Sequence, residues 1–207
     1  MERRSATGVW MGMALCAAVL LASATLAACG IGTTGLRRAL EVTARFSFLL
    51  FWLAYAGSAL AALFGPTFQG LARRGRDLGL AFASAHLVHV GLVVWLFRIS
   101  RQPPVTGATF AFFAVGLMWV YLLALFSIGR LSRMLGAARW RVLRTIGLEY
   151  VSFAFLFDFI NHPVHLEAKS LLGYLPFSTF AVAGTMLRVA AWARPRPRTT
   201  AQGALSP

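Results

Sequence analysis

The sequence is short of charge, and above all of acidic residues. Of its 207 residues only 13% are charged, with six aspartates and glutamates against twenty lysines and arginines. Hydrophobic residues make up 58% of the chain, and its mean hydropathy is +0.70. A soluble domain carries about 25% charged residues. The composition therefore excludes a water-soluble globule and favours an integral membrane protein.

Motifs of soluble enzymes and of cysteine metal sites are missing as well. The two cysteines, Cys16 and Cys29, lie in the first apolar run, form no CxxC motif and have no zinc spacing. The chain contains no P-loop, no HExxH and no nucleophile elbow, which argues against a kinase or a hydrolase. It also lacks the GxGxxG motif of flavin and nicotinamide domains. Any electrons that it carries must come from another protein or from quinol.

Six apolar runs are separated by stretches that contain arginine, glycine or proline. A helix of about 20 apolar residues crosses the hydrocarbon core of a bilayer. The fifth run is the shortest, and it contains Glu149 and Asp158. The sequence thus predicts an all-α fold, an integral membrane bundle of six transmembrane helices, with a disordered basic tail over residues 194–207. The predicted spans cover residues 9–28, 46–64, 78–97, 108–128, 145–160 and 171–192.

The basic residues predict how the bundle is oriented. Nineteen of the twenty are arginine, and they lie between the apolar runs or near the chain ends. Fourteen fall on the side of the N-terminus and six on the opposite side. The positive-inside rule therefore predicts a multi-pass inner-membrane protein with both termini in the cytoplasm. Because anchoring in the lipid bilayer accounts for the net charge of +14, nucleic acid is not an expected partner.

The start of the chain allows a second interpretation. Residues 26–30, Leu-Ala-Ala-Cys-Gly, follow an apolar stretch and resemble the end of a lipoprotein signal, with Cys29 as the lipidated residue. A lipoprotein usually continues into a soluble domain, whereas here the next apolar run begins about 15 residues later. That continuation favours a first span that is retained, and lipidation of Cys29 stays open.

Ionisable residues inside the apolar runs are the candidate site residues, because a charge at the bilayer centre costs about 2 to 3.5 kcal/mol. His86 and His89 are three residues apart and share one face of the third span. Neutral histidine is a common metal ligand and the usual axial ligand of haem iron in membranes. The alternative is a hydrogen bond between helices, which polar side chains in membrane bundles often form.

The fifth span carries a second polar group. Asp158 and His162 are four residues apart, which is consistent with a carboxylate–imidazole pair at the outer edge of the membrane. The favoured alternative is a cluster of polar side chains that are solvated at the membrane interface. From the rise of a helix, His162 is expected about 12 Å further along the membrane normal than His89, too far for both to bind one iron. Glu149 is expected to form an ion pair with Arg141 or Arg144 near the cytoplasmic face.

Residues 76–89, RDLGLAFASAHLVH, resemble the ferric reductase-like transmembrane family, most closely its bacterial haem-binding branch, which includes the membrane subunit of the methionine sulfoxide reductase system. In that family a basic pair, Leu-Gly-Leu and a small and aromatic stretch lead to a haem-ligating histidine, and His89 lies at the matching distance. The resemblance continues through residues 34–35, 44–50 and 135–143, and therefore covers most of the chain.

This resemblance implies a haem b ligated by His89, with His86 beside it, and electron transfer across the membrane to a partner redox protein. Arginines such as Arg144 would pair with the haem propionates. The family has ligand histidines where this chain has Arg144 and Phe157, so the second axial ligand is not identified. Two alternatives remain: a haem-free structural or regulatory protein of the same fold, and a small proton-coupled transporter that uses Asp158 and the histidines.

Overall fold

The computed structural model describes residues 2–100, 107–128, 131–161 and 168–194, and these ranges are helical apart from short turns. The expected all-α class is therefore confirmed for this part of the chain. A short 3₁₀ helix covers Pro66–Phe68. The α-helices are α1 (Glu2–Cys29), α2 (Thr33–Phe64), α3 (Gln69–Arg73), α4 (Gly75–Ile99), α5 (Gly107–Ile128), α6 (Leu131–Leu135), α7 (Ala137–Asn161) and α8 (Ala168–Ala193).

Four helices within the described residues are long and apolar enough to cross a membrane. They are Ala6–Cys29 within α1, α2, α4 and α5, and they coincide with the first four predicted spans. α7 and α8 overlap the fifth and sixth predicted spans but are not among these four. α7 carries several arginines in its first turns, with Glu149 and Asp158 further along. The chain is thus a membrane protein by its helices, and the six-span bundle stays a prediction.

Two glycines allow the chain to leave its first long helices. Gly30 follows the last residue of α1, and Gly65 follows the last residue of α2. Both have φ of +83°, a left-handed conformation that side chains with a Cβ atom rarely adopt. Each N–H donates back to a carbonyl of the preceding helical turn, Gly30 to Leu26 and Gly65 to Ala61. These bonds end the helices before the chain reverses.

α2 begins thirteen residues earlier than the predicted start at residue 46. The difference arises because Arg37, Arg38 and Arg45 were assigned to a loop, whereas all three lie within the helix. The 32 residues of α2 span about 48 Å, more than the roughly 30 Å of the hydrocarbon core. Its first turns can therefore extend beyond the lipid tails with their charges in water.

Five helices form a closed ring, in which α2 contacts α4, α4 contacts α5, α5 contacts α7, α7 contacts α8, and α8 contacts α2. α1 lies outside the ring against α2 and α4. Successive long helices run in opposite directions, so the start of α1 and the end of α8 lie at the same end of the bundle, called the terminal end below. Side-chain hydrogen bonds join helices there: Thr7 to Asp77, Arg76 to the Ser127 carbonyl, and Arg194 to the Ala62 carbonyl.

Aromatic side chains fill the interior of the ring. Phe48 packs edge-on against Phe159, with ring centroids 4.9 Å apart, and Phe51 lies 5.3 Å from Phe82. α1 contributes small residues instead, and Ala14, Ala18 and Ala22 are buried against its neighbours. The aromatic cluster is defined here as the buried rings of Phe48, Phe51, Tyr55, Phe82, Phe155 and Phe159.

Candidate functional site

His86 and His89 lie side by side on α4. Their imidazole rings are stacked, with centroids 5.1 Å apart and planes inclined by 18°. Both side chains are half-buried. From the helix rise they lie about 17 and 21 Å along α4 from Gly75, in the middle of the helix. The structure therefore brings the two histidines together in the middle of α4, on one face of the helix as their spacing predicts.

A hydrogen bond to α2 fixes the protonation of the His89 ring. Thr43 is fully buried, and its Oγ1 lies 3.2 Å from His89 Nδ1. The threonine hydroxyl donates its own hydrogen to the Ala39 carbonyl at 2.8 Å, so it accepts from the imidazole. In neutral His89 the proton is therefore on Nδ1, and Nε2 keeps the lone pair that can bind a metal.

His86 is held by packing instead. Its ring centroid lies 5.3 Å from that of Phe82 and 6.2 Å from that of Phe155. Its Nδ1 is buried and has no hydrogen-bond partner among the described residues. A buried ring nitrogen without a partner is uncommon, and it often marks a site where a ligand or an unseen water completes the bonding.

The histidine pair fits one axial ligand of a haem, and it does not fit both. Axial imidazoles approach an iron from opposite faces of the macrocycle, whereas these rings stack directly on each other from one helix. Within the described residues no group of three or more histidine, cysteine or acidic side chains could hold a metal. His162 and His165 lie outside the described residues. Of the described pair, His89 is the ring with a hydrogen bond at Nδ1 that leaves Nε2 free, whereas His86 Nδ1 has no partner in the described part of the chain.

The ferric reductase-like family, which the sequence resembles, has ligand histidines at the α7 positions of Arg144 and Phe157. Neither of these side chains faces the histidine pair. Phe157 packs against Phe112 of α5, with ring centroids 5.0 Å apart, and is 37% exposed. Phe155 is the α7 residue that lies next to His86, and it is 8% exposed. Arg144 lies three turns earlier, toward the terminal end. On this helix the interior position is therefore residue 155, two residues before the one that the motif spacing indicates.

Asp158 lies near the C-terminal end of α7. Its carboxylate acts electrostatically on the His89 ring and on Tyr174 of α8. Arg45 of α2 also reaches Tyr174, with its guanidinium carbon 4.8 Å from the ring centroid. The predicted pair of Asp158 with His162 cannot be assessed, because His162 lies outside the described residues.

A polar cluster that the sequence did not indicate joins α2, α7 and α8. The Tyr55 hydroxyl donates to Glu149 Oε2 at 2.6 Å, and Arg188 Nε donates to Glu149 Oε1 at 2.9 Å. The Arg188 guanidinium also lies over the Tyr55 ring, 4.5 Å from its centroid. Glu149 is thus ion-paired, as predicted, but its partner is Arg188 and not Arg141 or Arg144. Its partner lies 39 residues away, on a helix whose rotation the sequence does not reveal.

Two cavities lie at the terminal end below the aromatic cluster. The larger has a volume of about 260 Å³ and is called the arginine cavity. The smaller, of about 70 Å³, shares Trp140, Arg144 and Leu148 with it and is also lined by Arg76. The arginine cavity is lined by Ala137, Trp140, Arg141, Arg144, Thr145, Leu148 and Arg188.

The charges around the arginine cavity are unbalanced. Arg188 is paired with Glu149, while Arg141 and Arg144 have no acidic partner among the described residues. The pKa of the Arg144 guanidinium, which precedes the predicted fifth span, is lowered from its ordinary value. Neighbouring helices partly remove Arg144 from water, and the charge of Arg188 repels it. The site therefore gathers more positive charge than the chain itself neutralises.

Comparison with known proteins identifies no relative of this chain. No protein-family model matches the chain, and no curated protein and no solved structure is found to be similar to it. The resemblance to the ferric reductase-like family accordingly rests on the short motifs of the sequence.

Proposed function

We propose that this chain is a membrane-embedded haem b protein that passes electrons across the inner membrane, with His89 as an axial ligand of the iron. The observation that carries the proposal is the hydrogen bond between His89 and Thr43. It sets the Nδ1 proton and leaves the Nε2 lone pair free, the arrangement usual for histidines that ligate metals. Haem b supplies one-electron transfer when bound.

The chain's own residues would hold and shield this site. Thr43 orients the His89 ring from α2. Phe82 and Phe155 pack beside His86 and keep water away from the pair. A dry, aromatic surrounding of this kind is one of the means by which a protein adjusts the potential of a haem.

The proposed partner is a separate redox protein or membrane quinol. With the terminal end in the cytoplasm, the positive-inside rule is satisfied, because most described arginines near helix ends lie there. Both termini are then cytoplasmic. The described arginines at this end include Arg73, Arg74, Arg76, Arg139, Arg141, Arg144, Arg188 and Arg194.

A haem-free protein of the same helical plan is the competing proposal, and the packing inside the ring favours it. The aromatic cluster occupies the space between α2, α4 and α7. Phe155 lies against His86, where the interior of α7 would have to provide a second ligand. In that case His86 and His89 would only join helices, and the function would lie in a partner protein.

An absorption spectrum of the purified full-length protein separates the two proposals. The protein is expressed with ample haem, purified in mild detergent and measured as reduced minus oxidised, with pyridine haemochromogen quantitation. The electron-transfer proposal expects roughly one haem b per chain, because one ligand nitrogen is available. Folded protein without a haem signal would refute it and favour the haem-free alternative.

The ligand assignment is tested by replacing each histidine of the pair. We expect His89→Ala to remove the Soret band, because the lone pair on Nε2 is lost. His86→Ala is the matched control on the same helix face, and we expect it to retain most of the haem. Equal spectra for wild type and His89→Ala would overturn the assignment of His89.

A further inference from the structure

The arginine cavity lies apart from the histidine pair. The smaller cavity that adjoins it is lined by Gly79, which is ten residues and about 15 Å along α4 from His89. The family resemblance would pair Arg144 with haem propionates, but it gives no role to the open space that Arg141, Arg144 and Arg188 line together. What the arginine cavity can bind is therefore a separate question, and its answer does not depend on haem.

Charge indicates the kind of ligand. The lining holds three guanidinium groups, from Arg141, Arg144 and Arg188. One carboxylate, that of Glu149, pairs with Arg188. Three positive charges and one negative charge leave a surplus of two within the described residues. Guanidinium groups present paired N–H donors that match the oxygens of phosphate, and such charge-assisted bonds are stronger than neutral ones.

The position and the size of the arginine cavity further limit the kinds of ligand that it could bind. Arg141 and Arg144 occupy the turns of α7 just before the predicted fifth span, so they lie where lipid headgroups would be. Trp140, which lines the cavity and packs against Phe126, is of the residue type that gathers at the membrane interface. A volume of about 260 Å³ lies just below the usual range of small-molecule pockets. It suits a headgroup rather than a whole lipid.

We propose that the arginine cavity binds a phosphate group through Arg141 and Arg144, with Arg188 held in place by Glu149 and Tyr55. The phosphate belongs to the headgroup of an anionic lipid or to a soluble phosphate compound, since the two share the same chemistry. Basic pockets between helices at the cytoplasmic side of membranes commonly bind anionic headgroups. A bound phosphate would neutralise the surplus charge of Arg141 and Arg144, since Arg188 is paired with Glu149.

Native mass spectrometry of the full chain in mild detergent provides the test. The probes are dioleoyl phosphatidylglycerol, dioleoyl phosphatidylcholine as the zwitterionic control, and inorganic phosphate as a competitor. We expect wild type to retain phosphatidylglycerol and not phosphatidylcholine. The double variant Arg141→Gln with Arg144→Gln should weaken this binding at least tenfold, because each arginine gives a charged hydrogen bond. Arg139→Gln is the matched control, since it removes an exposed arginine of the same helix that does not line the cavity.

The arms of the experiment distinguish the sources of the phosphate. Retention of phosphatidylglycerol that millimolar phosphate does not displace supports a lipid headgroup, and displacement supports a soluble phosphate compound. Should the double variant fail to fold, Thr145→Trp keeps every arginine while filling the cavity, and it should also lose binding. Equal lipid retention by wild type and by a folded variant of either kind would overturn the proposal. Equal retention of the two lipids by wild type would overturn it as well.

Discussion

Tyr55 and Tyr121 differ in the hydrogen-bond partners of their hydroxyl groups. The Tyr55 hydroxyl donates to the Glu149 carboxylate at 2.6 Å, whereas that of Tyr121 is buried and has no partner among the described residues. We expect Tyr55→Phe to lower the free energy of unfolding by about 1.5 to 3 kcal/mol, the usual value for a hydrogen bond to a charged group. Tyr121→Phe is the control, and it should be neutral or slightly stabilising because it removes an unpaired polar atom. Unfolding by sodium dodecyl sulfate in mixed micelles measures both, and equal losses would contradict the assignment.

For single residues, the sequence shows how they are spaced along the chain. It does not show which residues they contact in the folded protein. The three-residue interval of His86 and His89 was enough to predict that they share a face. Thr43, which sets the His89 tautomer, lies 46 residues away on α2. Such a contact depends on how two helices are rotated about their axes, and apolar residues on all sides of a membrane helix give little sign of that rotation.

Among the helices, α5 and α7 approach each other closely at one glycine. A Cβ atom at Gly147 would lie 2.8 Å from Trp119 Cε3 and 2.9 Å from Leu123 Cδ1. Gly147→Ala should therefore destabilise the protein by about 1 to 3 kcal/mol, since the rigid indole ring must move. Gly91→Ala provides the control, because a Cβ atom there meets nothing within 4 Å. That change should stabilise α4 by about 0.5 to 1 kcal/mol. Thermal unfolding in detergent gives both values, and a stabilised Gly147→Ala would show that α5 and α7 pack differently.

Helix positions were easier to predict than helix lengths. Apolar runs located the first four spans, but the start of α2 was missed because arginines were taken as loop residues. Arg45 lies inside the helix, where Tyr174 and Phe177 of α8 shield its guanidinium. Cation–π contacts of this kind lower the cost of a charge near lipid. They depend on a helix more than 120 residues later in the chain, so hydropathy alone could not predict them.

For the molecule as a whole, the direction of the helices could be predicted from the sequence, whereas their order around the ring could not. An even number of long helices in alternating directions follows from the apolar runs, and it puts both chain ends at one end of the bundle. The ring order does not follow from the runs. It determines that Phe155, and not Phe157, lies beside the histidine pair. The motif resemblance therefore supplies no second ligand on α7, and ligation by His89 stays a proposal.

The two native cysteines can test the orientation of the whole bundle. Cys29 is exposed at the end opposite to the terminal end, while Cys16 lies about 20 Å further down α1 and would face lipid. With the terminal end in the cytoplasm, a membrane-impermeant maleimide should label Cys29 in intact spheroplasts. Cys29→Ser should lose the label and Cys16→Ser should keep it. If Cys29 were labelled only after the membrane is opened, the bundle would have the opposite orientation. A thiol at position 29 that stays unreactive in denaturing detergent would instead indicate lipidation, as the Leu-Ala-Ala-Cys motif allows.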